Sequence, residues 1–139
     1  MHKPQAHVRV DLSTGCSIGP GKIALLEGIA RTGSLSAAAR SLGMSYRRAW
    51  LLLHSVNEAF HEPAAELSVG GKDGGGARLT PFGQDLVRSY RDFESAVDAL
   101  AVRAFSSLRP NPAATAGPSE ARRPLRRSLT DAAAPKRDA

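Results

Sequence analysis

At 139 residues, with 42% hydrophobic and 23% charged side chains, the chain has apolar material for one core of about 100 residues and is too short for two domains. Its longest apolar run, Ala49 to Leu53, falls far below the roughly 18 residues of a membrane helix, and its polar start lacks a signal-type apolar segment, so a cytoplasmic protein with no membrane partner is expected. The formal charge of +6 is uneven, with +4 in 109–139 (seven basic residues, three acidic), and the single Cys16 excludes an internal disulfide and a Cys-rich zinc site.

His7-Val8-Arg9-Val10-Asp11-Leu12 alternates polar and apolar residues and runs into Ser13-Thr14-Gly15, which predicts a short half-buried strand and a turn. After Gly19-Pro20-Gly21, the helical spacing of Ile23, Leu26, Ile29 and Ala30 predicts a first helix over Lys22 to Arg31, closed by Thr32-Gly33. Ser34 can cap a two-turn helix over Leu35 to Leu42 that Gly43 ends by taking a left-handed conformation. Ser45 opens a third helix over Tyr46 to Phe60 with Ala49, Leu53, Val56 and Phe60 on one face, and Pro63 forbids its continuation.

Two short alternating segments, Glu66 to Val69 and Ala77 to Leu79, flank a glycine-rich tip and read as a hairpin. Thr80-Pro81 is a strong start for a long last helix. In it Leu86, Tyr90, Phe93, Val97, Leu100 and Ala104 are spaced four, three, four, three and four, the rhythm of an apolar seam facing a partner helix. From Ser107 onward only Leu108, Leu125 and Leu129 are large and apolar, so 109–139 reads as a disordered basic tail.

A two-turn helix, a turn containing Gly and a longer helix with a small residue near its start form a helix-turn-helix, whose second helix enters the DNA major groove. Ala38, Ala39 and Gly43 permit the close crossing and sharp turn. A hairpin directly after that unit is a β-wing. The fold class expected is therefore α+β, mainly helical: a winged helix-turn-helix with a long carboxy-terminal dimerisation helix. An ordinary helical hairpin with a solvated charged face is the alternative that charge and pattern leave open.

Arg31, Arg40, Arg47 and Arg48 carry one end of this region with no acid between them. Arg47 and Arg48 fall on the first turn of the third helix, where arginine can donate two bonds to guanine O6 and N7; binding phosphate alone is the rival role. Ser34 and Ser45 can meet phosphate as well as cap, and Ser36 joins them as a candidate. Tyr46 and Trp50 lie off the Ala49/Leu53 stripe and either touch DNA or pack in the core, while Leu51 and Leu52 have no evident place. Lys72 at the hairpin tip and Arg78 on its return strand can reach phosphate.

The segments Thr32-Gly33-Ser34-Leu35-Ser36-Ala37-Ala38-Ala39-Arg40, Gly43-Met44-Ser45-Tyr46-Arg47-Arg48-Ala49-Trp50, the glycines 70, 71 and 74 to 76 before Ala77, and Leu79-Thr80-Pro81-Phe82-Gly83 resemble the amino-terminal winged-helix domain of the ModE-type molybdate-responsive regulators, a relative of the LysR-type DNA-binding domain. The resemblance spans about 19–108, with 1–18 as a leading segment carrying a short strand and 109–139 as the tail. It implies a homodimeric transcription factor on a palindromic operator, read by the helix after Ser45 and dimerised by the helix after Thr80, with a link to molybdenum metabolism. Full-length members continue into a molybdate-binding region of small β-barrels; this chain ends in the tail, so no molybdate site is expected in it.

No cofactor and no metal are expected. His2, His7, His54 and His61 lack ligand spacing, and Cys16 reads as a small packed residue. The phosphate-loop pattern fails at Gly71-Lys72-Asp73 and around Gly21-Lys22, where Cys16 and Ile23 stand at required positions. With no nucleophile, base and orienter on one motif, catalysis is not expected. A non-specific architectural DNA binder, nucleoid-associated like the specific reading, and a winged-helix module for protein assembly are the rivals; they differ in whether DNA is selected, merely bound, or ignored.

Overall fold

The computed structural model describes residues 3–13, 15–69 and 76–113. Among them the elements run β1 (Val10–Asp11), β2 (Ser17–Ile18), α1 (Pro20–Thr32), α2 (Leu35–Ser41), α3 (Tyr46–Ala59), β3 (Ala65–Leu67), β4 (Ala77–Leu79) and α4 (Pro81–Phe105). The fold is α+β and mainly helical, with two small antiparallel sheets, β1–β2 and β3–β4.

The expected first strand forms only in part. Val10 pairs with Ile18 and Asp11 with Ser17 around a turn in which Gly15 takes φ +79. Exposure nevertheless alternates from Lys3 to Leu12, so the whole segment is extended and half-covered. β2 has no signature in the sequence, because two residues are too few to display a period.

Helix boundaries follow local chemistry. Pro20 sits at the first position of α1, and Gly33 ends it at φ +69. The Ser34 hydroxyl accepts from the Ala37 amide and the Ser45 hydroxyl from the Arg48 amide, both at 3.1 Å. Between those helices Gly43 takes φ +66, a left-handed conformation that a side chain would strain. Thr80 caps α4 by accepting from the Gly83 amide at 3.0 Å.

The core joins Ile23, Leu25, Leu26 and Ile29 of α1 to Leu35, Ala38 and Ala39 of α2 and to Ala49, Leu52, Leu53 and Val56 of α3. Two positions differ from the sequence expectation: Leu25 is buried beside Leu26, and Leu52 lies inside beside Leu53. Phe60 is half-buried against Phe82, with ring centroids 5.1 Å apart. Gly28 and Ala38 meet so closely that a Cβ on Gly28 would lie 3.0 Å from the Ala38 methyl, which is why both must be small.

The second hairpin pairs Ala65 with Leu79, Glu66 with Arg78 and Leu67 with Ala77. The Ala77 amide also donates to the Gly33 carbonyl at 2.8 Å, tying β4 to the α1–α2 turn. At its base the Ala64 carbonyl accepts from the Thr80 amide at 3.0 Å, and α4 presses so close that a Cβ on Gly83 would overlap that carbonyl. Arg91 bridges α4 to α1, donating to Glu27 at 2.5 and 3.3 Å and to Glu94 at 2.7 Å. Hydrogen bonding to Glu27 is the main reason its guanidinium is held protonated even more firmly than usual.

Candidate nucleic-acid interface

Arg47 and Arg48 stand exposed on the first turn of α3. Neither pairs with a carboxylate among the described residues, although Arg9, Arg78, Arg88 and Arg91 all do. The first turn of α3 contains no acid. A cation there faces the positive end of the helix dipole, at a cost of about 0.3–1 kcal/mol each in the absence of an anion. The Ser45 cap spends a lone pair of its hydroxyl on the Arg48 amide and leaves the O–H free to donate outward. The first turn of α3 therefore combines two unpaired guanidiniums, a hydroxyl donor and the helix dipole, all favourable to a phosphate or to the acceptor edge of a base.

Farther along α3 the exposed side turns acidic at Glu58. Arg40 is exposed at the end of α2, while Arg31 donates to the Ser41 hydroxyl at 3.1 Å. Ser34 and Ser36 stand at the start of α2, and the Ser34 hydroxyl, like that of Ser45, accepts one amide and keeps its O–H to donate.

For Tyr46 and Trp50 the packing role left open by the sequence is present. Both are partly buried and packed against the core, and Trp50 stacks on His54 at 5.0 Å with the planes 6° apart. Their apolar surface is used to seat the start of α3, which places the adjacent arginines outward. Arg78 is exposed but pairs with Glu66 across the hairpin at 3.2 Å, so contact with phosphate would require it to leave that partner. Lys72 lies outside the described residues, as does nearly all of the tail assigned to 109–139.

The α4 seam divides. Tyr90 is 5% exposed and its hydroxyl donates to the Val8 carbonyl at 2.6 Å, while Leu86 packs against the core, so both serve this protomer rather than a partner. Burial, and then the nearby Glu94 carboxylate, raise the Tyr90 phenol above its ordinary pKa. Of the remaining seam, Phe93 and Leu100 are exposed, Ala104 is exposed and Val97 is half-buried; Leu108, beyond the end of α4, is 61% exposed. An apolar ladder therefore begins one turn beyond Tyr90. The amino-terminal segment lies beside it, with the Ala6 amide donating to Asp98 at 2.7 Å.

Two connections are absent from the sequence expectations. The Asn57 carboxamide joins α3 to the base of β3, and Arg91–Glu27 links helices 64 residues apart. The first had a visible signal: an asparagine one position beyond Val56, on the inward side of α3, is a poor helix former that needs partners there. Cys16 is half-buried as expected, but its sulfur lies 3.5 Å from Lys22 Nζ, which also donates to the Ser17 carbonyl at 2.6 Å. Among the described residues no group of three or more His, Cys, Asp or Glu is placed to hold a metal, and no helix is long and apolar enough to cross a membrane.

No protein-family model matches the chain. Individual proteins do. The molybdenum-pterin-binding protein MopB of Rhodobacter capsulatus is 43% identical over 100 residues, 72% of this chain and 37% of that protein. The molybdenum transport protein ModE of Azotobacter vinelandii is 35% identical over 102 residues, 70% of this chain and 38% of that protein. The DNA-binding transcriptional dual regulator ModE of Escherichia coli K12 is 42% identical over 71 residues, 51% of this chain and 27% of that protein. The chain is thus related to ModE and Mop proteins and spans well under half the length of each of these three relatives.

Proposed function

We propose that the chain is a ModE-type winged helix-turn-helix protein, a sequence-specific regulator of transcription that binds double-stranded DNA as a homodimer. In this reading α2 and α3 are the helix-turn-helix and β3–β4 is the wing. A helix of about 10–12 Å diameter fits the major groove, about 12 Å wide. α3 enters by its first turn: Arg47 and Arg48 donate to guanine O6 and N7, and Ser34, Ser36 and Ser45 donate to the flanking phosphates. The wing brings Arg78 to the backbone, and Lys72, in the sequence that joins its two strands, is a further candidate for phosphate. Phe93, Val97, Leu100 and Ala104 of α4 meet the same row of a second copy.

The observation that carries this reading is the pair of exposed arginines at the positive end of α3 that have no carboxylate partner among the described residues, an arrangement that an anion relieves. The relatives named as regulators support the choice of DNA as that anion, and those named for molybdenum support a role in molybdenum metabolism. Two-fold symmetry then requires a palindromic operator with half-site centres about 34–36 Å apart or a multiple of that. Such a protein acts in the cytoplasm, at the nucleoid.

Selection of bound duplexes from a random library at about 150 mM salt, with and without molybdate, tests the reading. Enrichment of a palindrome is the expected result. Binding without enrichment would replace specific regulation by architectural binding, and absence of binding would leave only protein assembly. A palindrome that appears only with molybdate would place the sensing in this chain as well.

A further inference from the structure

A hairpin of two three-residue strands is not stable by itself, so the direction in which β3–β4 points is set by what holds it. Among the described residues it is held at three places. The Gly33 carbonyl accepts from Ala77 of β4, and Thr80 with Gly83 grip the Ala64 carbonyl from the start of α4. The third hold comes from α3. The Asn57 Oδ1 accepts from the Ala64 amide at 2.8 Å and the Ala65 amide at 3.4 Å, while its Nδ2 donates to the Ala65 carbonyl at 3.1 Å.

The carboxamide thus pairs with both the N–H and the C=O of Ala65, as a residue of a neighbouring strand would. Asn57 lies ten residues after Arg47, about 15 Å along the helix axis. The helix that carries the arginines therefore also fixes the base of the hairpin through one side chain. Asparagine suits this for a stated reason. Aspartate keeps the acceptor but sets a second oxygen against the Ala65 carbonyl, glutamine is longer by a methylene, and alanine reaches neither group.

We infer that Asn57 is a positioning residue of the nucleic-acid interface: it sets the separation between Arg47/Arg48 and the β3–β4 hairpin, so that both meet one duplex. The inference rests on the DNA-binding reading above. It assigns Asn57 no contact with DNA, and Asn57 is not one of the buried core residues of α3, which include Ala49, Leu53 and Val56.

The test uses the full chain and a duplex selected by the wild type. Affinity, its dependence on salt and the hydroxyl-radical footprint are measured for wild type, Asn57→Ala and Asn57→Asp, per active molecule by stoichiometric titration. Both variants are expected to bind about tenfold more weakly and to show no protection at the flanks that the hairpin covers. The base preference and central protection owed to Arg47 and Arg48 remain, and the salt slope falls by about 0.9 for each phosphate that the hairpin no longer neutralises. A merely structural asparagine would lower the unfolding temperature yet leave affinity, slope and footprint of the folded fraction unchanged; that result overturns the inference. If Asn57→Ala does not fold, Asn57→Asp, similar in volume, carries the same readouts. Failure of the wild type to bind any duplex would overturn the DNA reading and this one together, whereas wild-type binding with an unaltered variant footprint would overturn the positioning role alone.

Discussion

Gly83 is the position where a single methyl group should do most damage. It is the third residue of α4, and its Cβ would overlap the Ala64 carbonyl oxygen and sit 2.8 Å from the carbonyl carbon. The obstacle is backbone, so no rotamer change relieves it. Either the start of α4 or the Ala64 segment must move, and both are tied down: Thr80 donates from its amide to the Ala64 carbonyl at 3.0 Å, and its hydroxyl caps the Gly83 amide at 3.0 Å. Loss of the cap costs about 1 kcal/mol and loss of the backbone bond about as much. Overpacking adds about 1–3 kcal/mol, and the better helix propensity of alanine returns about 1 kcal/mol. Gly83→Ala should therefore destabilise the protein by about 2–4 kcal/mol. At about 4–8 °C per kcal/mol for a domain of this size, the unfolding temperature should fall by roughly 10–30 °C. Gly21→Ala is the control, since nothing lies within 4 Å of its Cβ; it should be neutral or stabilising by up to about 1 kcal/mol. Urea and thermal unfolding followed by far-ultraviolet circular dichroism, at one fixed protein concentration, measure both. A Gly83→Ala protein within about 0.5 kcal/mol of wild type would refute the close approach of α4 to Ala64.

The other predictions concern α4 and the segment laid against it. Leu100→Glu, at a site 53% exposed, should leave the helical content unchanged while weakening self-association at least about 100-fold, by sedimentation equilibrium; an unchanged dimer would remove α4 from the interface. Because the folded pKa of Tyr90 is raised above the ordinary 10.0, its neutral phenol stabilises the fold fully below pH 10, and this contribution is lost as pH climbs through the raised value. Tyr90→Phe should cost about 1 kcal/mol at neutral pH, through the missing bond to Val8, and should flatten the fall in stability above pH 10; an unaltered alkaline slope would argue against it. Asp98→Ala should free the Ala6 amide, seen as faster hydrogen exchange there and earlier proteolysis in 3–9, with global stability within about 1 kcal/mol of wild type. Unchanged exchange at Ala6 would show that the segment is held by other means.

What can be read from the sequence is local. Ser34, Ser45 and Thr80 announce the starts of α2, α3 and α4, because a hydroxyl capping an amide three residues on is chemistry within one turn. Gly33 and Gly43 mark helix ends for the same reason. The rest depends on pairings across distance. The period of α4 displays an apolar row but cannot tell whether Leu86 and Tyr90 face their own core or another chain; the passage of Val8 past the Tyr90 hydroxyl decides it. Tyr46 and Trp50 lie off a core stripe drawn through Ala49 and Leu53 alone. The partly buried positions that pack against the core widen that stripe to include both rings. Arg47 and Arg48 are legible as surface cations on the first turn, whereas their lack of carboxylate partners among the described residues, which gives them their force, emerges only from the fold.

Specific regulation stands or falls on whether Arg47 and Arg48 read bases. The most direct measurement is the ratio of affinity for the selected duplex to affinity for random duplex, at one salt concentration, for wild type and for Arg47→Ala/Arg48→Ala. Each bidentate bond pair to guanine is worth about 1–3 kcal/mol of discrimination, so the double substitution should carry a ratio well above about 100 close to unity while weak general binding persists. A variant that weakens for both duplexes equally, with its selectivity intact, would contradict base reading and leave these arginines as phosphate contacts only.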